Sequence, residues 1–204
     1  MKKIYALFIS GLIALCFSVS LQAQSSEDPE RDKWQKPEEV VKSLNLKPGD
    51  VVADIGAGTG YFTRYFAIAV NPGGKALGLD INPSLVQSMN QDASKLELNN
   101  YEAFLIKPDN PELEPGSVDV VFLCNANHHI ENRVDYFKRL STSLKKNGRV
   151  VIVDFYNKPL PIGPQAVDHK LSKEVVLEEF REAGYNLTQD KDFLPYQYYL
   201  EFEL

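Results

Sequence analysis

Cysteine is almost missing from this 204-residue chain: Cys16 and Cys124 are the only two, too few for a disulfide framework. Histidine is scarce as well, with His128, His129 and His169 and no cysteine or acid at ligand spacing, so a zinc site is not expected. Basic charge is in deficit, 22 Lys and Arg against 28 Asp and Glu, for a net charge of −6. That balance argues against nucleic acid or an anionic membrane as the main partner, because both require a basic footprint. Glycine and proline, at 12 each, are too few for collagen-like or low-complexity sequence. No internal repeat occurs. What is left is an ordinary globular composition, 44% hydrophobic and 25% charged, with one domain's worth of core.

Long apolar runs are missing too, with one exception. Ile4 to Val19 follows Lys2-Lys3 and precedes the polar stretch from Gln22 to Glu30. A basic start, an apolar stretch and a small residue such as Ala23 make residues 1–23 a secretory signal peptide. An uncleaved anchor is the alternative, and only this segment would then touch a membrane. Either way the expected location is outside the cytoplasm, in the periplasm. Removal of the segment would leave Cys124 as the sole cysteine. Residues 24–36 read as a polar linker and 37–204 as the domain.

Within the domain, strand-length apolar runs alternate with helical patterns. Val51–Ile55, Lys75–Ile81, Tyr101–Ile106, Val118–Leu123 and Val150–Val153 read as strands, and Val118–Leu123 is apolar almost without alternation. Parallel strands covered on both faces look like that. Asn82-Pro83 opens a helix carrying Leu85, Met89, Ala93 and Leu96. Val134, Phe137, Leu140 and Leu144 form a second stripe ended by Asn147-Gly148, and Ser172 caps a third helix closed by Gly184. Tyr185–Leu187 and Tyr198–Leu204 then follow with no helix between them, so they must pair antiparallel or lie apart.

The first strand runs into Asp54-Ile55-Gly56-Ala57-Gly58-Thr59-Gly60. Glycines there permit positive φ and let a ligand lie against bare backbone. The Gly-x-Gly-x-Gly spacing is not the Gly-x-Gly-x-x-Gly that cradles a pyrophosphate, and Asp54 would repel one while suiting an ammonium and a sulfonium. Asp80 closes the second strand, where a carboxylate can accept both ribose hydroxyls.

Val51 to Tyr61 resembles the first motif of class I S-adenosylmethionine-dependent methyltransferases, and Leu46-Lys47-Pro48-Gly49-Asp50 resembles that family's lead-in. Gly78-Leu79-Asp80-Ile81 is similar to its second motif and Ser117 to Val121 to its fourth strand. Leu144 to Val150 resembles its step into strand five, with Lys146 and Asn147 departing from the pattern. The likeness is to the small-molecule, ubiquinone-biosynthesis-like type. It implies a Rossmann-like three-layer α/β sandwich, with a seven-stranded, mostly parallel sheet ending in a C-terminal antiparallel hairpin. It implies S-adenosyl-L-methionine as cofactor, methyl transfer as the reaction and a small molecule as acceptor. By the same resemblance Asp54, Gly56, Ala57, Gly58 and Gly60 hold the methionine end, Asp80 the ribose and Asp109 the adenine amino group. Ile81 and Asn125 complete the expected cofactor-binding set.

Asn125-Ala126-Asn127-His128-His129 follows the fourth strand, at the end of the sheet where α/β crevices bind ligands. His128 or His129 is therefore a candidate base for an acceptor that must lose a proton. Metal-assisted transfer is not expected, since the ends of strands four and five offer a single acid, Asp154. The proline-rich stretch Pro159 to Pro164, with Asp168-His169, is a candidate wall on the acceptor side. The alternative function is an exported module of the same fold that binds the cofactor without turnover.

Overall fold

Val51–Ile55 (β1), Lys75–Asp80 (β2), Tyr101–Leu105 (β3), Val118–Cys124 (β4), Leu144–Phe155 (β5), Asn186–Lys191 (β6) and Gln197–Glu203 (β7) form one seven-stranded sheet. Its order is β3-β2-β1-β4-β5-β7-β6. Strands β1 to β5 pair in parallel, and β7 lies antiparallel to both β5 and β6. The structure is a computed structural model and describes residues 28–167 and 170–204. The expected leader, 1–23, and the Asp168-His169 pair lie outside the described residues.

Among the described residues, six α-helices flank the sheet: Pro29–Gln35 (α1), Pro37–Leu44 (α2), Thr63–Ala69 (α3), Pro83–Lys95 (α4), Arg133–Leu140 (α5) and Lys173–Glu182 (α6). Successive strand side chains point to opposite faces, so one run of apolar residues feeds two cores. Val52, Val120, Phe122, Val151 and Val153 pack with Val40, Phe66 and Met89 of α2, α3 and α4. Their neighbours Ala53, Val121, Leu123, Val150 and Ile152 pack with Phe137 and Phe180 of α5 and α6. This is why the central strands show no alternation: both faces are covered. The expected three-layer sandwich and terminal hairpin are what form.

The chain moves from β1 outward through β2 and β3, then returns to place β4 on the other side of β1. That reversal opens a crevice beyond the carboxyl ends of β1 and β4. The loops that leave those two strands carry the glycine motif and the Asn125–His129 segment.

Three elements differ from expectation. The segment 24–36 is not a linker throughout: Asp28 caps α1 by accepting from the Arg31 N–H at 2.9 Å, and Pro29 fills the first turn. Its polar surface is a helix's solvent face, while Gln35 is fully buried. Leu144 is not the end of a helical stripe. Helix α5 stops at Leu140, a short 3₁₀ turn covers Ser141–Ser143, and Leu144 opens β5 opposite Val118. Its apolar character comes from the strand-side core, and the surplus chain before Arg149 is taken up in a bulge with Asn147 at φ 67°. Finally, β6 reaches Lys191, beyond the expected Leu187, through exposed polar residues with no apolar pattern to mark them.

The candidate cofactor site and the cavity beside it

Gly56, Gly58 and Gly60 all sit at positive φ, 71°, 59° and 76°. A side chain on Gly56 would strike Ala126 Cβ at 2.5 Å, and one on Gly60 would meet the Tyr101 hydroxyl at 1.9 Å. Gly58 is different, because nothing lies within 4 Å of where its Cβ would stand. Its bareness serves the crevice, whereas the other two glycines serve internal packing. The loop's donors are already committed. Gly56 and Ala57 donate to the Leu79 carbonyl at 2.8 and 3.1 Å, Gly60 to Ala57 at 2.9 Å, and Gly58 to Asp80 Oδ2 at 2.9 Å. These amides therefore form no free nest for a pyrophosphate.

Asp80 is buried and bridges the loop to the next helix, since its Oδ1 accepts the Asn82 N–H at 2.9 Å. Asp54 is also buried and accepts the Thr63 hydroxyl at 2.6 Å. Burial pushes its carboxyl up to about 7, against the Thr63 hydrogen bond and the Arg31 charge, which pull it down.

Two cavities meet at this loop. One, about 240 Å³, is lined by Gly56, Asp80, Ile81, Ile106, Asn125 and Ile130, with His129 at its side. The other, about 460 Å³, is lined by Asp54, Ala57, Gly58 and Asn125, and also by Arg31, Trp34 and Phe155. Gly56 and Asn125 face both. Asn125 holds φ 57° there, and its Oδ1 accepts from Gln197 at 2.7 Å.

Asp109 lies elsewhere. It is exposed, in a neighbouring depression with Glu131 and Asp135, while Lys107 and Pro108 take the wall of the smaller cavity. A tight bridge between Lys107 and Asn110 turns the chain at this point. The two histidines stack with ring centroids 4.1 Å apart but do different things. His129 is exposed toward the smaller cavity, whereas the His128 Nδ1 faces the Asp154 carboxylate at 2.8 and 3.1 Å with both side chains buried.

A family model described as a methyltransferase domain matches residues 46–193, more than half of the chain. The chain belongs to that family. It is 24% identical to a demethylmenaquinone methyltransferase of Oceanobacillus iheyensis over 78% of this chain and 69% of that protein. It is 28% identical to a ubiquinone/menaquinone biosynthesis C-methyltransferase of Ectopseudomonas mendocina over 77% of this chain and 60% of that one. The chain spans 54% to 69% of the length of four such curated relatives. Its fold is shared with a SAM-dependent methyltransferase from Aquifex aeolicus, at a TM-score of 0.81 and 24% identity over 86% of this chain and 93% of that one.

Membership in the methyltransferase-domain family implies S-adenosylmethionine as cofactor, and the residues present fit it. Gly58 leaves a cradle that a Cβ would fill, Asp54 offers an acid for an ammonium, and Asp80 opens on a cavity with apolar walls. Three residues around the candidate site had no signal in the sequence: Arg31 and Trp34 on α1, and Phe155 on the wall of the larger cavity. Gly163, from the proline-rich stretch expected on the acceptor side, lines that cavity too, and Asp154, expected as the single acid at these strand ends, is the partner of His128. Cys124 also lines that cavity, but burial pushes its thiol up to about 12, so it is no nucleophile at neutral pH.

Proposed function

We propose that this domain binds S-adenosylmethionine across the glycine loop, with its methionine end reaching into the 460 Å³ cavity, and moves a methyl group to a small molecule held beside it in that cavity. The observation that carries the reading is the pair of buried carboxylates, Asp54 and Asp80, flanking a loop whose amides are already spent. When bound, the cofactor supplies an electrophilic methyl on a sulfonium. Asp54, once ionised, accepts the ammonium at the methionine end. Each Asp80 oxygen already holds one N–H and keeps a lone pair for a ribose hydroxyl. Ile81, Ile106 and Ile130 offer apolar walls to a flat base.

Transfer from a sulfonium is a displacement, so the protein's main task is to hold the acceptor in line. Trp34, Tyr61, Phe62 and Phe155 on the larger cavity suit a flat, apolar or aromatic acceptor. The two relatives support a small acceptor of that kind, being named for demethylmenaquinone methylation and for C-methylation in ubiquinone and menaquinone biosynthesis. For an acceptor that must lose a proton, neither candidate histidine lines the larger cavity, and His128 is the one oriented by a carboxylate. Asp154 holds its Nδ1, which leaves Nε2 as the nitrogen able to act as base.

Calorimetry with S-adenosylmethionine, followed by assay of S-adenosylhomocysteine formed with fractionated metabolite extracts, tests this reading. Binding and product formation are expected, and both should fall in Gly58→Val combined with Asp80→Ala. Undiminished binding in that variant overturns it; binding without product from any fraction favours the module that lacks turnover. Residues 1–23 are read as an export signal, supported by Lys2-Lys3 and the run to Val19. A mature N-terminus near residue 24 in the periplasmic fraction is the expected result, and intact Met1 in the cytoplasm the contrary one.

A further inference from the structure

We infer that Arg31 is the anion partner of this site: its guanidinium takes the carboxylate of the same α-amino-acid group whose ammonium meets Asp54. The inference rests on the cofactor reading above and assigns a binding role to a segment that lies before the residues matched by the family model.

Arg31 is half-buried on the wall of the larger cavity. Its guanidinium lies 3.8 Å from the centre of the Tyr61 ring, and its Nε donates to Gln35 Oε1 at 3.2 Å. Both supports are themselves held. The Tyr61 hydroxyl donates to Asp32 Oδ1 at 2.5 Å, and buried Gln35 donates its Nε2 to the Gln197 side-chain oxygen Oε1. The guanidinium plane is therefore fixed by a ring face and an amide, not by a carboxylate. Its terminal nitrogens have no hydrogen-bond partner among the described residues. A planar cation held this way, with its paired N–H groups unspent, is preorganised for bidentate capture of a carboxylate.

The opposite charge stands in the same cavity. Asp54 feels the Arg31 charge, yet the two form no ion pair among the described residues; its hydrogen bond comes from Thr63. An acid and a base that line one cavity without closing on each other are complementary to a zwitterion. A neutral acceptor would leave both charges uncompensated in a half-buried space, which is costly. An isolated carboxylate would satisfy only Arg31.

The test compares S-adenosylhomocysteine with its decarboxylated analogue, which keeps the ammonium and loses the carboxylate, on the full chain and on Arg31→Gln and Arg31→Lys. Wild type is expected to prefer S-adenosylhomocysteine by at least about tenfold, as a charged, two-point hydrogen bond implies. Arg31→Gln should erase that preference while leaving the affinity for the analogue unchanged, and Arg31→Lys should keep part of it. Equal loss for both ligands, or an unchanged preference in Arg31→Gln, overturns the inference and leaves the cofactor reading standing. If wild type binds neither ligand, the cofactor reading falls and this inference falls with it. An unchanged unfolding midpoint in Arg31→Gln excludes loss of fold as the cause.

Discussion

The two cavities that meet at Gly56 and Asn125 are built by different means. The smaller one is walled by residues at or just past the carboxyl ends of β1, β2, β3 and β4, with Tyr136 of α5. Apart from Tyr136, each wall is a short segment leaving a strand of the parallel sheet. The larger one borrows Arg31 and Trp34 from α1 and Phe155 from the end of β5, and these are more than a hundred residues apart in sequence. The parallel strand ends supply most of the smaller cavity, whereas the larger one also needs a helix that precedes the whole sheet. The two sides should therefore respond differently to substitution.

The largest expected effect separates two residues of the glycine loop. Gly60→Val forces a side chain into the Tyr101 hydroxyl at positive φ and should cost roughly 3 kcal/mol or more in urea unfolding. Gly58→Val meets only open space, so it should cost about 1–2 kcal/mol from the left-handed backbone alone, yet remove cofactor binding. Equal stability losses would mean that Gly58 also packs internally.

Asp54 gives a pH-dependent contrast. Its carboxyl is raised to about 7 in the folded protein, above the ordinary value of 3.8, so folding takes up a proton between those values. Its contribution to apo stability is full below pH 4 and falls by about 1.4 kcal/mol per unit as pH rises toward 7. Above 7 the slope vanishes. Asp54→Asn should lack this slope when thermal unfolding is followed from pH 4 to 8. The affinity for a ligand ammonium runs the opposite way, rising with pH until Asp54 is ionised. A wild-type profile matching that of Asp54→Asn would show that water reaches the carboxylate.

The smallest effect sharpens the division between cavities. Trp34 sits 5.7 Å from Phe155, ring centre to ring centre, on the wall of the larger cavity. Trp34→Ala should change S-adenosylhomocysteine affinity by less than about threefold, while removing one aromatic pair worth about 1 kcal/mol of stability. Acceptor KM should rise. A large loss of S-adenosylhomocysteine affinity would instead place Trp34 beside the amino-acid end of the ligand.

Most of the sheet could be read from the sequence because the signals are local. Asn82-Pro83, Ser172 and Gly184 mark helix ends through their own backbone chemistry, and the acid–glycine–acid arrangement around Gly56 is set by one turn. Leu144 misled because an apolar residue four places after Leu140 satisfies helix periodicity and a strand core equally well. The polar strand β6 was read too short because an exposed edge needs no apolar pattern.

Sequence alone sufficed for strands β1 to β4, the glycine loop and the acids Asp54 and Asp80 beside it, since each is marked by a short, contiguous run of residues. It did not place Asp154 against His128, nor Gln35 against Gln197, nor Arg31 across a cavity from Asp54. Those pairings join segments from 23 to 162 residues apart, and no periodicity or turn chemistry acts over such spans. They are decided only when apolar burial brings β1, β4, β5, β7 and α1 to one edge of the sheet, where unpaired polar groups must find partners as water leaves.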